Sequence, residues 1–538
     1  MDDLQARAGQ ERQVGRGKAL LAALVVSAGT PLASGCPAGA DARSVVAADA
    51  SREGQDAGPV EPQGGHSPFG FHGPVGRYQE LGDLGAPWSR EGIYLVWNWV
   101  DPNHDGSLKL KNATLPPNPG APGSGGTVDF DAERAGVPDE IELVNNICHV
   151  QGAAGGGEID VAADGETYKA FVQKVVERYD GDADLGCIQP APDCYAPGDG
   201  EYPEPQVVER FERNPLKYWQ VCNQVTDGCQ IDCQATYARK FAAIQKLTYE
   251  GVKAADPQAQ VLIAGDSARE LYPAVFQALA GAHVDIVDFH RFGEEGWYDP
   301  KEDFDFLRRE LQAAGFDPGK LRFWSTECGT YSGDPINDLV PVGDPRRAGP
   351  PYQSELQQAR GLLKAYVSAL ASGVEEIFWA WGIVEGFGCE CCIFDYTGLI
   401  YDGNIEKESC SLDDPHDKGA GTKKLAYHTY KLMVDELEGS DFAAVETLPA
   451  PSGVWLFRFQ RSRGPIWVAW SDTAGANVAL SGVNSGTVKI TKAVPDAASG
   501  ADLTEADYPS FFTQTTAAVT GGVASVALGE VPVFIEEQ

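Results

Sequence analysis

The run Leu321-Arg322-Phe323-Trp324-Ser325-Thr326-Glu327 closes on a carboxylate and is followed by Cys328-Gly329. An acid that ends an apolar strand just before a glycine is poorly explained by packing, because charges are seldom buried without a purpose. A salt-bridged structural glutamate is the plain alternative. Upstream, Lys217-Tyr218-Trp219-Gln220-Val221-Cys222-Asn223-Gln224 has the form of a buried strand that delivers a second functional group, yet it ends in two amides. A carboxylate facing an acid suits nucleophilic and general acid/base chemistry. Glutamine has no proton to give at any physiological pH. A third run ends Asp288-Phe289-His290. Arg90 precedes a run holding Trp97 and Trp99, and Trp379 and Trp381 stand in another. Each aromatic alone reads as core. Together they describe a mouth walled by aromatic faces around Glu327, suited to the C–H faces of a sugar ring, with Asn223, His290 and Arg90 to orient its hydroxyls.

Metal chemistry has weaker support. Asp101-Pro-Asn-His-Asp-Gly106 copies the start of a calcium loop, but Asn112 stands where such a loop needs a bidentate glutamate. Cys229-x3-Cys233 and Cys389-x-Cys391-Cys392 lack the paired spacing of a zinc site and have no histidine cluster beside them, so disulfides are expected there. No metal and no cofactor is expected.

The chain has 538 residues, 78 acidic and 42 basic, for a net charge of −36. That surface repels phosphate backbones and anionic headgroups, which argues against nucleic acid and electrostatic membrane partners. Its 43% hydrophobic content allows a large core. At the N-terminus Arg12, Arg16 and Lys18 precede the apolar run 19–26, and small residues lead to Leu32-Ala33-Ser34-Gly35-Cys36. This is the layout of a secretory signal, too short to span a bilayer. Its end resembles the lipobox of bacterial lipoproteins, with Ala33 where leucine is preferred, so the expectation is an exported chain, secreted or anchored by a lipid at Cys36. Residues 37–66 read as a flexible tether. Beyond Cys36 eleven cysteines remain, and an oxidised chain with an odd number keeps at least one free thiol.

To bring these groups together the chain needs a scaffold that gathers strand ends. From Pro68 short apolar runs alternate with helical ones: 69–73, 92–99, 140–150, 217–224, 259–266, 284–290, 321–327 and 375–382 read as eight strands, with a last helix near 424–437. The expected architecture is α/β, a (β/α)8 TIM barrel over 67–441, whose chemistry sits at the carboxyl ends of the strands. An open doubly wound sheet is the rival, and the Gly-rich phosphate turn it calls for is missing. Over 442–538 short alternating runs without helices predict a C-terminal antiparallel β-sandwich.

Taken in order, these motifs resemble the clan-A retaining glycoside hydrolases (the 4/7 superfamily), and in texture the β-xylosidase and α-L-iduronidase branch. Thr326-Glu327-Cys328-Gly329 is similar to the clan's strand-7 T-E-x-G. Trp219-Gln220-Val221-Cys222-Asn223-Gln224 stands where strand 4 reads W-E-[IV]-x-N-E. The resemblance implies Glu327 as nucleophile, Asn223 against the sugar's 2-hydroxyl, and Gln224 at the acid/base station. Gln220 and Gln224 both depart from the clan's glutamates. Three readings follow: a replacement acid among Asp227, Asp232, Glu294 and Glu295; a substrate whose leaving group needs no proton, as in plant myrosinases; or a catalytically impaired carbohydrate-binding protein. A scaffold with no use for the pocket comes last.

Overall fold

The computed structural model describes residues 67–538 other than 75, 91–94, 116–125, 150–160, 183–199, 225–233, 267–268, 294–296, 336–348, 387–392 and 404–414. The export signal with Cys36, the tether, the four loop acids named above and cysteines 187, 194, 229, 233, 389, 391, 392 and 410 lie outside the described residues.

Eight parallel strands form a closed barrel: β1 (Phe69–His72), β2 (Trp88–Arg90), β3 (Glu142–Cys148), β4 (Tyr218–Val221), β5 (Gln260–Leu262), β6 (Ile286–Gly293), β7 (Arg322–Thr330) and β8 (Glu376–Trp379). The ring closes because β1 pairs with both β8 and β2, and β2 with β3. A helix follows each strand: α1 (Tyr78–Leu84), α2 (Phe130–Ala135), α3 (Val161–Tyr179), α4 (Gln234–Ala255), α5 (Tyr272–Leu279), α6 (Lys301–Ala313), α7 (Glu355–Ser372) and α8 (Leu425–Leu437). Local sequence sets several of these ends. Ser354 and Gln357 form a reciprocal capping box at the start of α7, which ends on Gly373 in the left-handed region.

The second strand differs from the sequence expectation. Arg90 ends β2 instead of preceding it. Leu95–Val96 returns to pair with Ile147 and Cys148, and Trp97–Val100 turns into a short helix. A short apolar run has no periodicity long enough to separate strand from helix. Trp97 consequently faces the helical layer, with its ring 5.4 Å from Tyr168 and 6.3 Å from Phe171 of α3. The calcium-like segment is a turn in which Asp101 accepts the backbone N–H groups of Asp105 and Gly106.

Two-residue alternation fills the barrel in layers. Trp88, Val144, Leu262, Ile286, Trp324 and Phe378 plug its interior, each worth roughly 1.5–3 kcal/mol of burial. Gly70 leaves room for this plug, since a β-carbon there would press on Phe378 and on Trp88 Cβ. Two positions further along, the same inward parity carries Arg90, Asn146 and Asp288, and the interior becomes polar.

The C-terminal region is one antiparallel sheet of eight strands curled over itself. It consists of Glu446–Thr447, β9 (Val454–Arg461), β10 (Gly464–Ser471), β11 (Ala476–Ser481), β12 (Thr487–Lys492), β13 (Gln514–Thr520), β14 (Val523–Leu528) and β15 (Val533–Glu537). Leu456, Trp467, Val478, Val488, Val526 and Ile535 make its own core. On the other face Phe457, Phe459, Val468, Trp470 and Phe534 join the core of the barrel's outer layer. Sequence reading missed β11 and β13: the Ala- and Asn-containing run of β11 buries only Val478 and Leu480, and the Thr- and Ala-rich run of β13 has no fully buried residue. No helix among the described residues is long and apolar enough to cross a membrane.

At this seam His428 of α8 sits 5.2 Å from the ring of Phe511, and burial pushes its pKa down to about 4. An unfolded imidazole takes its proton near pH 6.5, so the unfolded state binds more protons between pH 6.5 and 4. Stability is therefore lost as pH falls through that window, by about 3 kcal/mol for this group. We predict that thermal unfolding followed from pH 7 to 4 shows a fall in Tm, and that the fall is shallower in His428→Phe. An unchanged slope would rule out this origin.

Candidate functional site

A bulge delivers Glu327 to the barrel interior. Along β6, Asp288 pairs with Trp324 and His290 with Glu327, so β7 spends one residue more than its neighbour. The β7–β8 register shifts in the same place. Without the extra residue, Glu327 would have the opposite parity to inward-facing Trp324 and would point at the helices.

The Glu327 side chain has no solvent-exposed surface, and neither does that of Arg90. The open mouth expected at Glu327 is thus replaced by a closed polar layer in which Arg90 and His72 cover the carboxylate. Arg90 Nη1 donates to Glu327 Oε1 at 2.7 Å and lies 3.0 Å from His72 Nδ1. Its Nε donates to Gln220 Oε1 at 2.6 Å and Nη2 to Asn223 Oδ1 at 2.6 Å. Arg90 therefore grips protein groups, not the sugar hydroxyls expected of it. Burial, and then the Arg90 charge, hold the His72 pKa well below its ordinary value. His72 stays neutral, and the guanidinium supplies the positive charge beside Glu327.

The second carboxylate oxygen is left differently. Glu327 Oε2 is buried without a hydrogen-bond partner. His290 Nδ1 lies 3.3 Å from it and also 3.3 Å from Gln224 Nε2. Glu327 Oε2 and the Gln224 amide are thus no further apart than twice 3.3 Å. Retaining glycosidases set their two groups about 5–5.5 Å apart. Asn223 and Gln224 are half-buried.

The strand that carries these amides is fixed by covalent and backbone constraints. Cys148 at the end of β3 forms a disulfide with Cys222. Cys222 and Gln224 both adopt left-handed backbone, φ 57° and 39°, which non-glycine residues seldom do outside constrained sites. Asn146 Nδ2 donates to the Cys222 carbonyl at 3.0 Å, and the Gln224 N–H to the Gly265 carbonyl at 2.9 Å. Among the described cysteines Cys328 is a free thiol, and burial raises its pKa so that it stays protonated.

Of the residues singled out in the sequence, Arg90, Asn223, Gln224, His290 and Glu327 meet in one network. Trp381 joins it at the edge, its ring 4.7 Å from that of His72. Phe394 lies 5.8 Å from Trp381 and 4.7 Å from Phe292, and these three make the aromatic wall. Trp97, packed on α3, takes no part. Sequence reading missed His72, Asn146, Gly265, Asp288 and Thr326. Asp288 had a signal: it stands two residues before His290 in an apolar strand, hence on the same face. Cys148, His149 and Cys222 converge as metal ligands would, but the two sulfurs are joined to each other. The acidic groups Glu177–Asp180–Asp182 and Glu385–Asp402–Asp417 also converge. In the second, Lys424 pairs with Glu385.

No family model matches the chain, and no curated protein matches it. Solved structures do. A family 39 glycoside hydrolase from Bacteroides cellulosilyticus WH2 superposes with a TM-score of 0.52 at 12% identity, over 88% of this chain and 81% of that one. An α-L-arabinofuranosidase from Thermotoga maritima in complex with arabinose gives 0.52 at 12%, over 85% and 88%. The GH51 α-L-arabinofuranosidase of Thermotoga petrophila RKU-1 gives 0.53 at 14%, over 85% and 88%. The chain shares the fold of these glycoside hydrolases, a parallel barrel followed by a β-rich domain.

A β-carbon at Gly265 would overlap His290 Nε2 and Asp288 Oδ2. Gly265→Ala is expected to cost about 1–3 kcal/mol by overpacking and, by moving His290, about 10²-fold in any turnover the site performs. Thermal unfolding alongside kinetics checks both. A variant with wild-type activity would show that His290 has no positional role.

Proposed function

We propose that this protein hydrolyses O-glycosyl bonds by a retaining route, with Glu327 as the nucleophile. The observation that carries the reading is the asymmetry of one carboxylate. Arg90 holds Oε1, while Oε2 is buried, bears no hydrogen bond, and faces Gln224 across His290. A buried acceptor left bare costs roughly 1–3 kcal/mol, so the unfilled lone pair on this carboxylate favours a role beyond packing. A nucleophile needs one lone pair aimed and free. The shared fold with glycoside hydrolases supports the same reading.

Arg90 holds Glu327 Oε1 and orients the carboxylate. Attack of Oε2 on the anomeric carbon gives a glycosyl ester, and Asn223 beside Arg90 is placed to meet the 2-hydroxyl. The half-buried Phe292 and Phe394, packed beside Trp381, offer apolar surface to the sugar or its aglycone. Gln224 at the acid/base station supports a second reading, carbohydrate binding without turnover, because positioned acid–base catalysis is worth about 10²–10⁴-fold in rate. The N-terminal signal and the Cys148–Cys222 disulfide support an oxidising location outside the cytoplasm, with Cys36 as the lipid anchor.

A panel of activated 2-deoxy-2-fluoro aryl glycosides tests the reading. The expected result is a covalent adduct on the peptide containing Glu327, absent from Glu327→Gln, and azide is expected to release a glycosyl azide of retained configuration from the ordinary activated glycoside. No adduct across the panel, with saturable oligosaccharide binding, would leave the binding reading. The absence of both would remove carbohydrate altogether.

A further inference from the structure

We propose that His290 is the proton-carrying residue of this site, with Nδ1 giving and taking the proton that Gln224 cannot; the proposal rests on the retaining reading above.

The hydrogen-bond directions behind the imidazole fix its tautomer. Asp288 is buried, and as a carboxylate it only accepts. The Thr326 N–H donates to its Oδ1 at 2.8 Å, the Thr326 hydroxyl to Oδ2 at 2.6 Å, and the Gln220 amide to Oδ2 as well. The single hydroxyl proton of Thr326 is thereby used. Towards His290 Nε2, 3.1 Å away, Thr326 Oγ1 presents a lone pair, so Nε2 carries a hydrogen. The titrating nitrogen is then Nδ1. That atom stands 3.3 Å from both Glu327 Oε2 and the Gln224 amide nitrogen. A neutral Nδ1 accepts from the Gln224 amide, and a protonated one carries its hydrogen on that same side of the ring.

The charged and titratable groups around the ring come from four strands. Glu327 on β7 and Asp288 on β6 carry the acidic groups, the latter 3.6 Å from Nε2. Arg90 on β2 is the positive group paired with Glu327, and His72 on β1 is held neutral by burial. Gly265 leaves the ring its room against β5.

In the first half-reaction Glu327 Oε2 bonds to the anomeric carbon as the bond to the aglycone oxygen breaks. The Nδ1 proton moves to that oxygen, leaving neutral His290, a glycosyl ester and a free alcohol. In the second, water adds to the anomeric carbon as the ester bond breaks. Its proton goes to Nδ1, which restores the imidazolium and the Glu327 carboxylate. Asp288 and Thr326 are positioning residues in this scheme.

Two glycosides of one sugar, a 2,4-dinitrophenyl and an unsubstituted phenyl, separate the roles. His290→Gln is expected to lose about 10²-fold or more on the phenyl glycoside and under about 10-fold on the dinitrophenyl one, whose leaving group needs no proton. The alkaline limb of the kcat/KM profile should disappear with it. Equal losses on both substrates would overturn the proposal and leave His290 a shaping residue. An independent readout is the ¹⁵N imidazole spectrum of the wild-type protein. Nε2–H with Nδ1 titrating is expected, and Asp288→Asn should disturb that preference. A neutral Nδ1–H tautomer in the wild type would overturn the proposal whether or not His290→Gln folds. Failure of the fluoroglycoside trap in wild type would instead remove the hydrolase reading itself.

Discussion

The ion pair between Arg90 and Glu327, buried without any solvent exposure, is the constraint from which the site follows. Two charges removed from water are stable only when their remaining hydrogen-bonding capacity is used, and removing one partner of such a pair typically costs about 3–5 kcal/mol. Arg90 therefore brings Gln220, Asn223 and His72 with it. Gln220 in turn reaches Asp288, which holds Thr326 and so His290. Strand ends distant in sequence are tied into one polar layer above the aromatic plug. Two acceptors in this layer are left without a hydrogen bond, Glu327 Oε2 and Asn146 Oδ1. Of the two only Glu327 Oε2 belongs to a carboxylate, and a bare buried acceptor calls for an explanation beyond packing.

The two glutamines of β4 have different physical consequences. At Gln220 the amide accepts from Arg90 and Asn146 through its oxygen and donates to Asp288 through its nitrogen. A glutamate there would accept from Arg90 but place a second negative charge against Asp288, so the amide suits a layer whose buried acid stands on β6. At Gln224 the amide faces His290 and half-open space. The first amide is fully used by its surroundings. The second has His290 as its neighbour at the edge of the network.

Rigidity around these groups has several sources. The Cys148–Cys222 disulfide, the left-handed backbone at Cys222 and Gln224, and the Asn146 bond to the Cys222 carbonyl hold the end of β4. Constraints of this kind concentrate where side chains must be aimed to within fractions of an ångström. The C-terminal sheet contributes from outside, with Trp470 and Phe459 extending the core of the barrel's helical layer.

Much of this was legible in the sequence. Eight apolar runs alternating with helical ones determined the barrel, and the loss of helical spacing beyond it determined the β-rich ending, because strand and helix periodicities are local properties. Residue chemistry alone marked Glu327, His290, Asn223 and the proton-less Gln224. Tertiary structure decided what no local pattern encodes. A one-residue bulge between Trp324 and Glu327 turns the carboxylate inward. The turn into a short helix at Trp97 makes it a helix-facing residue, and closure of the layer by Arg90 and His72 takes Glu327 out of solvent. Parity within a strand can be read along the chain, but a register shift exists only against a neighbouring strand. The partner of a buried charge is likewise settled only when distant segments close on one another.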